Sequence, residues 1–196
     1  MAEQDSKELI FSGITIYYTD KNSTRAKKYF EKACGLNDAE KCKKLAEFYF
    51  KANDLKKTLE YYSKSCKLND AKGCVLSATF YDGVIKGFKK DKKAFEYYSK
   101  ACGLNYSDGC VILGDIYHSG EGVTKNFKKA FEYFDKACQL NNAKGCYALA
   151  VLYNEGVAKD EKQMTESLKK ACELGLKEAC DILKEQRYSQ RTKMMG

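Results

Sequence analysis

The sequence predicts an all-α fold, an α/α solenoid of stacked helix pairs, and three observations point there. Ten cysteines form five pairs of one spacing, Cys34/Cys42, Cys66/Cys74, Cys102/Cys110, Cys138/Cys146 and Cys172/Cys180, whose second members step by 32, 36, 36 and 34 residues. Proline and tryptophan are absent while lysine, glutamate, leucine and alanine abound, a composition that suits helix from end to end. A repeat of about 35 residues marks a quasi-one-dimensional array in which each unit buries its apolar face against the next. A single solenoid domain over 1–187 is therefore expected.

A Cys-x7-Cys pair on one straight helix would hold its sulfurs on turns about 12 Å apart, beyond disulfide reach. A tight turn between the two brings them together, so each pair is expected to staple the end of one helix to the start of the next. Reduced core thiols are the alternative. Ten regularly spaced thiols do not suit a reducing cytosol, the close spacings of zinc sites are missing, and His118 is the sole histidine, so neither metal nor cofactor is expected. Disulfides imply an oxidising compartment: secreted, periplasmic, or the mitochondrial intermembrane space. The opening residues MAEQDSKELI lack the apolar centre of a signal peptide, so either a signal was removed ahead of Met1 or the compartment is not an oxidising one; the exported form is the expectation. No apolar run is long enough to span a membrane.

Aligned on the second cysteine of each pair, the units read as helix A, loop, helix B and stapled turn. Helix A reads C-x-x-[L/S]-[A/G]-x-x-Y, from Cys42 to Tyr49, Cys74 to Tyr81, Cys110 to Tyr117 and Cys146 to Tyr153. Positions 0, +3, +4 and +7 from the cysteine make one helical core stripe. Helix B reads A-x-x-Y-[Y/F]-x-K-A-C, as at Ala94–Cys102 and Ala130–Cys138. Its small residues admit close helix approach and its aromatics fill the space between units.

The steps from helix A tyrosine to helix B small residue, 9, 13, 13 and 11 residues, change in parallel with the cysteine steps. All length variation thus falls in the A-to-B loop, where Gly83, Gly87, Gly120, Gly122 and Gly156 supply permissive backbone. The B-to-A turn keeps one length. It reads Cys-x-Leu-Asn at Asn37, Asn69, Asn105 and Asn141, and Cys-x-Leu-Gly at Gly175, which predicts a left-handed residue closing helix B. Asp38, Asp70, Ser107 and Asn142 follow as N-caps of the next helix A. The resulting helix pairs are 6–19 with 23–35, 38–52 with 54–67, 70–82 with 90–104, 107–119 with 126–140 and 143–155 with 160–174. A capping helix at 176–187 and a disordered tail at 188–196 complete the chain.

The balance of 35 basic against 27 acidic residues gives a net charge of +8, compatible with nucleic acid or an anionic surface as partner. Lys-Lys pairs instead recur in every helix B, at Lys27-Lys28, Lys56-Lys57, Lys92-Lys93, Lys128-Lys129 and Lys169-Lys170, the middle three at one position early in the helix. That recurrence reads as a solvated outer face, and no nucleic-acid partner is expected.

These residues resemble the Sel-1-like repeat family, relatives of tetratricopeptide repeats, and more narrowly the Helicobacter cysteine-rich proteins, whose units carry the same x-K-A-C-x-L-[N/x]-x-x-x-G-C turn. The likeness runs over essentially the whole chain, in segments such as KKAFEYYSKACGLNYSDGC and LKKACELGLKEACDIL and in the loop Gly120–Val123. It implies an α/α solenoid with disulfides inside each turn, in an exported bacterial protein. Two features depart from the pattern. The unit from Cys42 to Cys66 lacks the four-residue loop insertion, and Thr58 and Met164 replace the helix B alanine.

Members of that family carry β-lactamase or penicillin-binding labels, which makes an enzyme the second reading. A serine β-lactamase needs S-x-x-K supported by S-D-N and K-T-G elements. Ser167 to Lys170 is the one S-x-x-K, its candidate nucleophile and lysine unsupported by either companion motif. One histidine excludes a metallo-lactamase site. His118 stands eight residues from Cys110 on the same predicted helix, which places a Cys/His dyad out of reach. There is no C-x-x-C pair and no Gly-rich phosphate loop, and no cysteine is left over for thiol exchange.

Solenoids offer an extended concave face to peptides or proteins. The function expected is a monomeric, exported scaffold binding a protein or peptide in that groove. Under the second reading the ligands are β-lactams or cell-wall fragments; a third reading is an oxidised assembly factor of the intermembrane space. Helix A positions +1, +5 and +8 adjoin the core stripe, and in the related repeat folds they face the groove. Here they are Lys43, Glu47 and Phe50; Val75, Thr79 and Asp82; Val111, Asp115 and His118; and Tyr147, Val151 and Asn154. They vary from unit to unit where the core positions repeat.

Overall fold

The computed structural model describes residues 28, 31–85, 92–155 and 160–195, and among them every regular element is helical. The helix expected over 6–19 lies outside the described residues, as does most of 23–35, whose last residues 31–35 are helical. The order continues with α1 (Ala39–Lys51), α2 (Leu55–Lys67) and α3 (Ala71–Thr79), the last widening into a π-helical segment over Phe80–Ile85. Then come α4 (Lys92–Gly103), α5 (Ser107–Ser119), α6 (Phe127–Gln139), α7 (Ala143–Asn154), α8 (Glu161–Glu173) and α9 (Lys177–Met195). The chain is an all-α repeat solenoid, and it divides into two compact units, Met1–Phe88 and Lys89–Gly196. Where the sequence reads one domain over 1–187, that division falls inside the third predicted pair, 70–104. Within each unit, helices consecutive in sequence pack on one another.

The B-to-A turn takes one conformation at every repeat. Asn37, Asn69, Asn105 and Asn141 have φ of 58°, 67°, 60° and 59°, and Gly175 has 93°, all left-handed. Each donates its backbone N–H to the carbonyl of the cysteine three residues before it, at 2.9 to 3.1 Å. In four of the turns the next residue reaches back to the carbonyl ahead of that cysteine, as Asp70 does to Ser65 at 3.1 Å and Asn142 to Ala137 at 3.0 Å. These two bonds are the Schellman closure, satisfying carbonyls that a helix end otherwise leaves orphaned. The closure turns the chain back so that the cysteines of all five pairs meet as disulfides, with Cα atoms 4.4 to 4.8 Å apart. No cysteine is free.

Helix starts obey the same register. Asp38, Asp70 and Asn142, each four residues before the second cysteine, cap α1, α3 and α7 by accepting from the N–H of Lys41, Gly73 and Gly145. Ser107 does not cap α5. The register assigns that place to Tyr106, whose side chain makes no capping bond, and Ser107 becomes the first helical residue. Its Oγ accepts instead from Asn142 Nδ2 at 3.1 Å, which joins the N-termini of α5 and α7. Asp54, Asn126 and Asp160 cap the B helices α2, α6 and α8 in the same way.

The core departs from the expected stripe at one position. Cys42, Leu45 and Ala46 are fully buried as the pattern requires, but position +6 is buried too, at Phe48, Phe80, Ile116 and Leu152. Of the tyrosines at +7, Tyr49 is buried while Tyr81, Tyr117 and Tyr153 are half-buried. The C-terminal helix also exceeds expectation, running to Met195 where a disordered tail was predicted from 188. The stretch 177–195 holds neither Gly nor Pro and is rich in Lys, Glu, Gln and Arg, so nothing in it stops a helix.

Position +4 is Ala46, Ala78, Gly114 and Ala150, and the exception has a steric cause: a Cβ on Gly114 would overlap the ring of Phe134. In the next pair Ala150 has Leu168 at the register of Phe134. Gly114→Ala is expected to lower stability by about 1–3 kcal/mol through overpacking, and adding Phe134→Leu should recover much of the loss, as measured by urea melts in a double-mutant cycle. Non-reducing peptide mapping should return five neighbour pairs, each stabilising by about 2–3 kcal/mol on the chain-entropy estimate; a long-range bridge would contradict the turn geometry.

Candidate functional site

In the second unit, the variable stripe forms a surface with two hollows. Positions +1, +5 and +8 lie one turn apart on each A helix, which aligns Val111, Asp115 and His118 on α5 and Tyr147, Val151 and Asn154 on α7. Five of these six line a cavity of about 370 Å³, whose remaining wall is Phe134 of α6 with Lys144, Ala148 and Leu152 of α7. Tyr147 and Val151 are shared with a second cavity of about 220 Å³, which Asn154, Ala150, Met164 and Leu168 of α8, and Ile182 and Gln186 of α9, complete. The walls are mostly apolar. Asp115, Lys144 and His118 supply the polar part of the first cavity's wall; His118 Nε2 lies 3.2 Å from Glu155 Oε2, and the His118 ring sits edge-on to Phe127 at 5.5 Å. Among the described residues every buried side-chain polar atom has a hydrogen-bond partner. These cavities therefore offer shape and apolar contact in place of an unsatisfied polar group.

The first unit treats the same positions differently. Lys43 is buried and bridges Glu40 to Asp70, its Nζ 3.1 Å from Asp70 Oδ2, so it ties the starts of α1 and α3 together and does not project into a groove. Burial pushes the Lys43 pKa down, but hydrogen bonds to Glu40 and Asp70 outweigh it and hold the ammonium above its usual value. The Thr79 hydroxyl turns back to donate to the Val75 carbonyl at 3.0 Å. Val75 and Asp82 are half-buried, Asp82 within the π-helical segment, and Glu47 is exposed. Phe50 is the prominent group here, 53% exposed with its ring edge on Phe80 at 5.8 Å.

Neither enzyme candidate lines the two cavities. Ser167 is buried on α8 at the register that Tyr97 and Tyr133 occupy in other B helices, and no hydrogen bond joins it to Lys170 one turn on. His118 and Cys110 form no dyad, because Cys110 is bonded to Cys102. The recurrent lysines have a role that sequence reasoning missed. Lys57 lies over the Tyr49 ring at 5.3 Å and Lys129 over the Tyr117 ring at 4.8 Å, each covering a helix A tyrosine that also stacks on a helix B tyrosine. The signal present in the sequence was a lysine nine residues before the helix B cysteine, at Lys57 and Lys129 alike.

Paired helices stapled at each B-to-A turn define a helical-repeat scaffold, with its variable residues on one stripe of the A helices. The chain belongs to the Sel1 repeat family: the Sel1 repeat model matches residues 8–38, 43–70, 76–106, 107–142 and 143–176. Over 59 residues, 30% of this chain, it is 45% identical to HcpC of Helicobacter pylori, whose name carries a β-lactamase label. The match spans about a fifth of HcpC (20%). Among solved structures it is similar to c5321, a protective antigen of uropathogenic Escherichia coli with a Sel1-like repeat fold, at 25% identity and a TM-score of 0.72, over 91% of this chain and 40% of that one. A Sel1 repeat protein of Oxalobacter formigenes shares the fold at 21% identity and a TM-score of 0.72, over 89% of this chain and 75% of its own. No helix of the described residues is long and apolar enough to cross a membrane.

The tyrosine clusters of the first unit predict a particular alkaline sensitivity. Burial raises the pKa of Tyr49, helped by its hydroxyl donating to Glu31 at 2.7 Å, while burial with Glu31 and Glu60 nearby pushes Tyr61 up to about 12. Tyr62 is raised as well, by burial first and by Glu47. Raised values mean that the folded state holds these protons more tightly than the unfolded one, so the associated stability is complete below pH 10.0 and is lost as pH climbs through the folded values. Melting temperature should fall steeply above about pH 10, and Tyr49→Phe should flatten that fall while lowering stability at neutral pH through loss of the Glu31 bond.

Proposed function

We propose that this protein is an exported, disulfide-stapled repeat scaffold that binds a protein or peptide partner through the variable stripe of its A helices, the face expected to be concave. One observation carries the reading: all six stripe residues of the second unit border two adjoining, mostly apolar cavities, while the positions that build the core repeat from pair to pair. Apolar hollows edged by Asp115, His118 and Lys144 suit the apolar side chains of a partner, because seating them there removes apolar surface from water. Export is supported by the pairing of all ten cysteines, which an oxidising compartment sustains. The β-lactamase label of HcpC supports no catalytic role for Ser167, which is buried and lines neither cavity.

The test is a comparison of variants on the immobilised, oxidised chain. Replacing Asp115, Tyr147 and Asn154 together should abolish retention of envelope or host-surface proteins that bind the unmodified chain, with melting temperature nearly unchanged. Equal loss from replacing Lys92, Lys93, Lys128 and Lys129 alone would move the site to the B-helix face. Nitrocefin turnover that disappears in Ser167→Ala would replace the scaffold reading with an enzyme.

A further inference from the structure

We infer that the second cavity is under redox control: Cys172–Cys180 is the one staple that a thiol in solution can reach, and its reduction releases α9 and opens that cavity while leaving the first intact. The inference takes its functional meaning from the partner-binding reading of the stripe, but its geometry stands apart from any partner.

In four staples every cysteine is 7% exposed or less, whereas Cys172 and Cys180 are both partly accessible. Thiol–disulfide exchange requires a thiolate to reach a sulfur of the bridge, so burial shields the four and access singles out the fifth. The reductant is an external dithiol. One of its thiolates attacks a staple sulfur, forming a mixed disulfide and releasing the other cysteine as a thiolate. Its second sulfur then closes the reductant's own disulfide and releases the remaining cysteine. Two electrons pass from the dithiol to the staple, and two protons end on Cys172 and Cys180.

The consequence follows from what α9 contributes. Ile182 and Gln186 form the α9 wall of the second cavity, opposite Tyr147 and Asn154 of α7, with Met164 and Leu168 of α8 beside them. Noncovalent anchoring of α9 rests on buried Ala179 and Leu183, on Leu176 and Ile182 packed against the same core, and on the Leu176 N–H to the Ala171 carbonyl at 3.0 Å. No residue of α8 or α9 lines the first cavity, so opening this staple removes one hollow of two.

The test uses the full oxidised chain. Limited treatment with dithiothreitol, alkylation and peptide mapping should label Cys172 and Cys180 first, on the order of tenfold faster than any other pair. In that partly reduced protein, amide exchange over 177–183 should accelerate by about thirtyfold or more. The Met164 methyl resonance should shift while Val111, in the first cavity, stays put. A Cys172→Ser/Cys180→Ser variant should reproduce both changes; if it does not fold, the partly reduced natural chain carries the test alone. Earlier reduction of another staple, simultaneous reduction of all five, or an unmoved Met164 after Cys172 and Cys180 are alkylated would overturn the inference. None of these readouts requires a partner, so failure of the binding proposal would appear separately, in the triple variant at Asp115, Tyr147 and Asn154.

Discussion

The rest of the structure depends on the turn that closes each B helix and opens the next A helix. Three constraints coincide there: a left-handed Asn or Gly, a Schellman pair of backbone bonds, and a disulfide eight residues in span. Any one would reverse the chain. Together they lock the rotational phase of helix A to that of helix B, because the cysteine that ends one helix is bonded to the cysteine in the first turn of the next. The staples matter energetically as well. At about 2–3 kcal/mol each, five of them rival the net stability of an ordinary domain, about 5–15 kcal/mol, so oxidation is part of how this chain folds.

Phase locking explains why the sequence tolerates change in one loop and not in the other. Residues added between helix A and helix B lengthen a surface connection at small entropic cost, whereas one residue added inside the stapled turn would rotate helix A by about 100° and bury its polar face. The same logic covers substitutions that keep a job but change its chemistry. Successive A helices are tied at their N-termini by Lys43 to Asp70 in the first unit and by Asn142 to Ser107 and Asp108 in the second. An ion pair and an amide serve one place in the repeat. Ser65 likewise stands where other B helices carry alanine, and its hydroxyl uses the same closeness to bond the Ala39 carbonyl at 2.8 Å.

Features fixed by covalent spacing or local backbone preference were legible in the sequence. The Asn positions announced left-handed turns because Asn tolerates positive φ, and helix limits followed to within a residue or two wherever cap and turn residues flanked them. Misreadings arose where neighbours decide. Ser107 looked like a cap because of its residue type, but the staple register gives that place to Tyr106. Position +6 was overlooked because its residues, Phe, Phe, Ile and Leu, are not one residue type across repeats, although each is apolar. Lys43 read as a groove residue by helical phase alone; the Asp70 carboxylate that draws it inward comes from the next repeat. The lysine–tyrosine stacks combine residues of two helices, so a pattern read one helix at a time could not assemble them.

The separation of staple from stripe bears directly on function. In a globular enzyme a surface substitution near the site often disturbs the packing that positions the site. Here phase and spacing are held by cysteines, small residues and turn asparagines, none of which belongs to the +1, +5 and +8 stripe of the second unit. Exposed Asp115 and Asn154 can therefore change with little effect on the scaffold, while Val111 and Tyr147, which also pack against the core, can change among residues of similar size, and the hollows between them change with them. A repeat built this way keeps its geometry while its recognition surface diversifies, which suits selection of a partner better than preservation of a catalytic constellation. The placement of Ser167 and Lys170 fits that division of labour: Ser167 is buried on α8, Lys170 is half-buried one turn on, and neither belongs to the variable stripe.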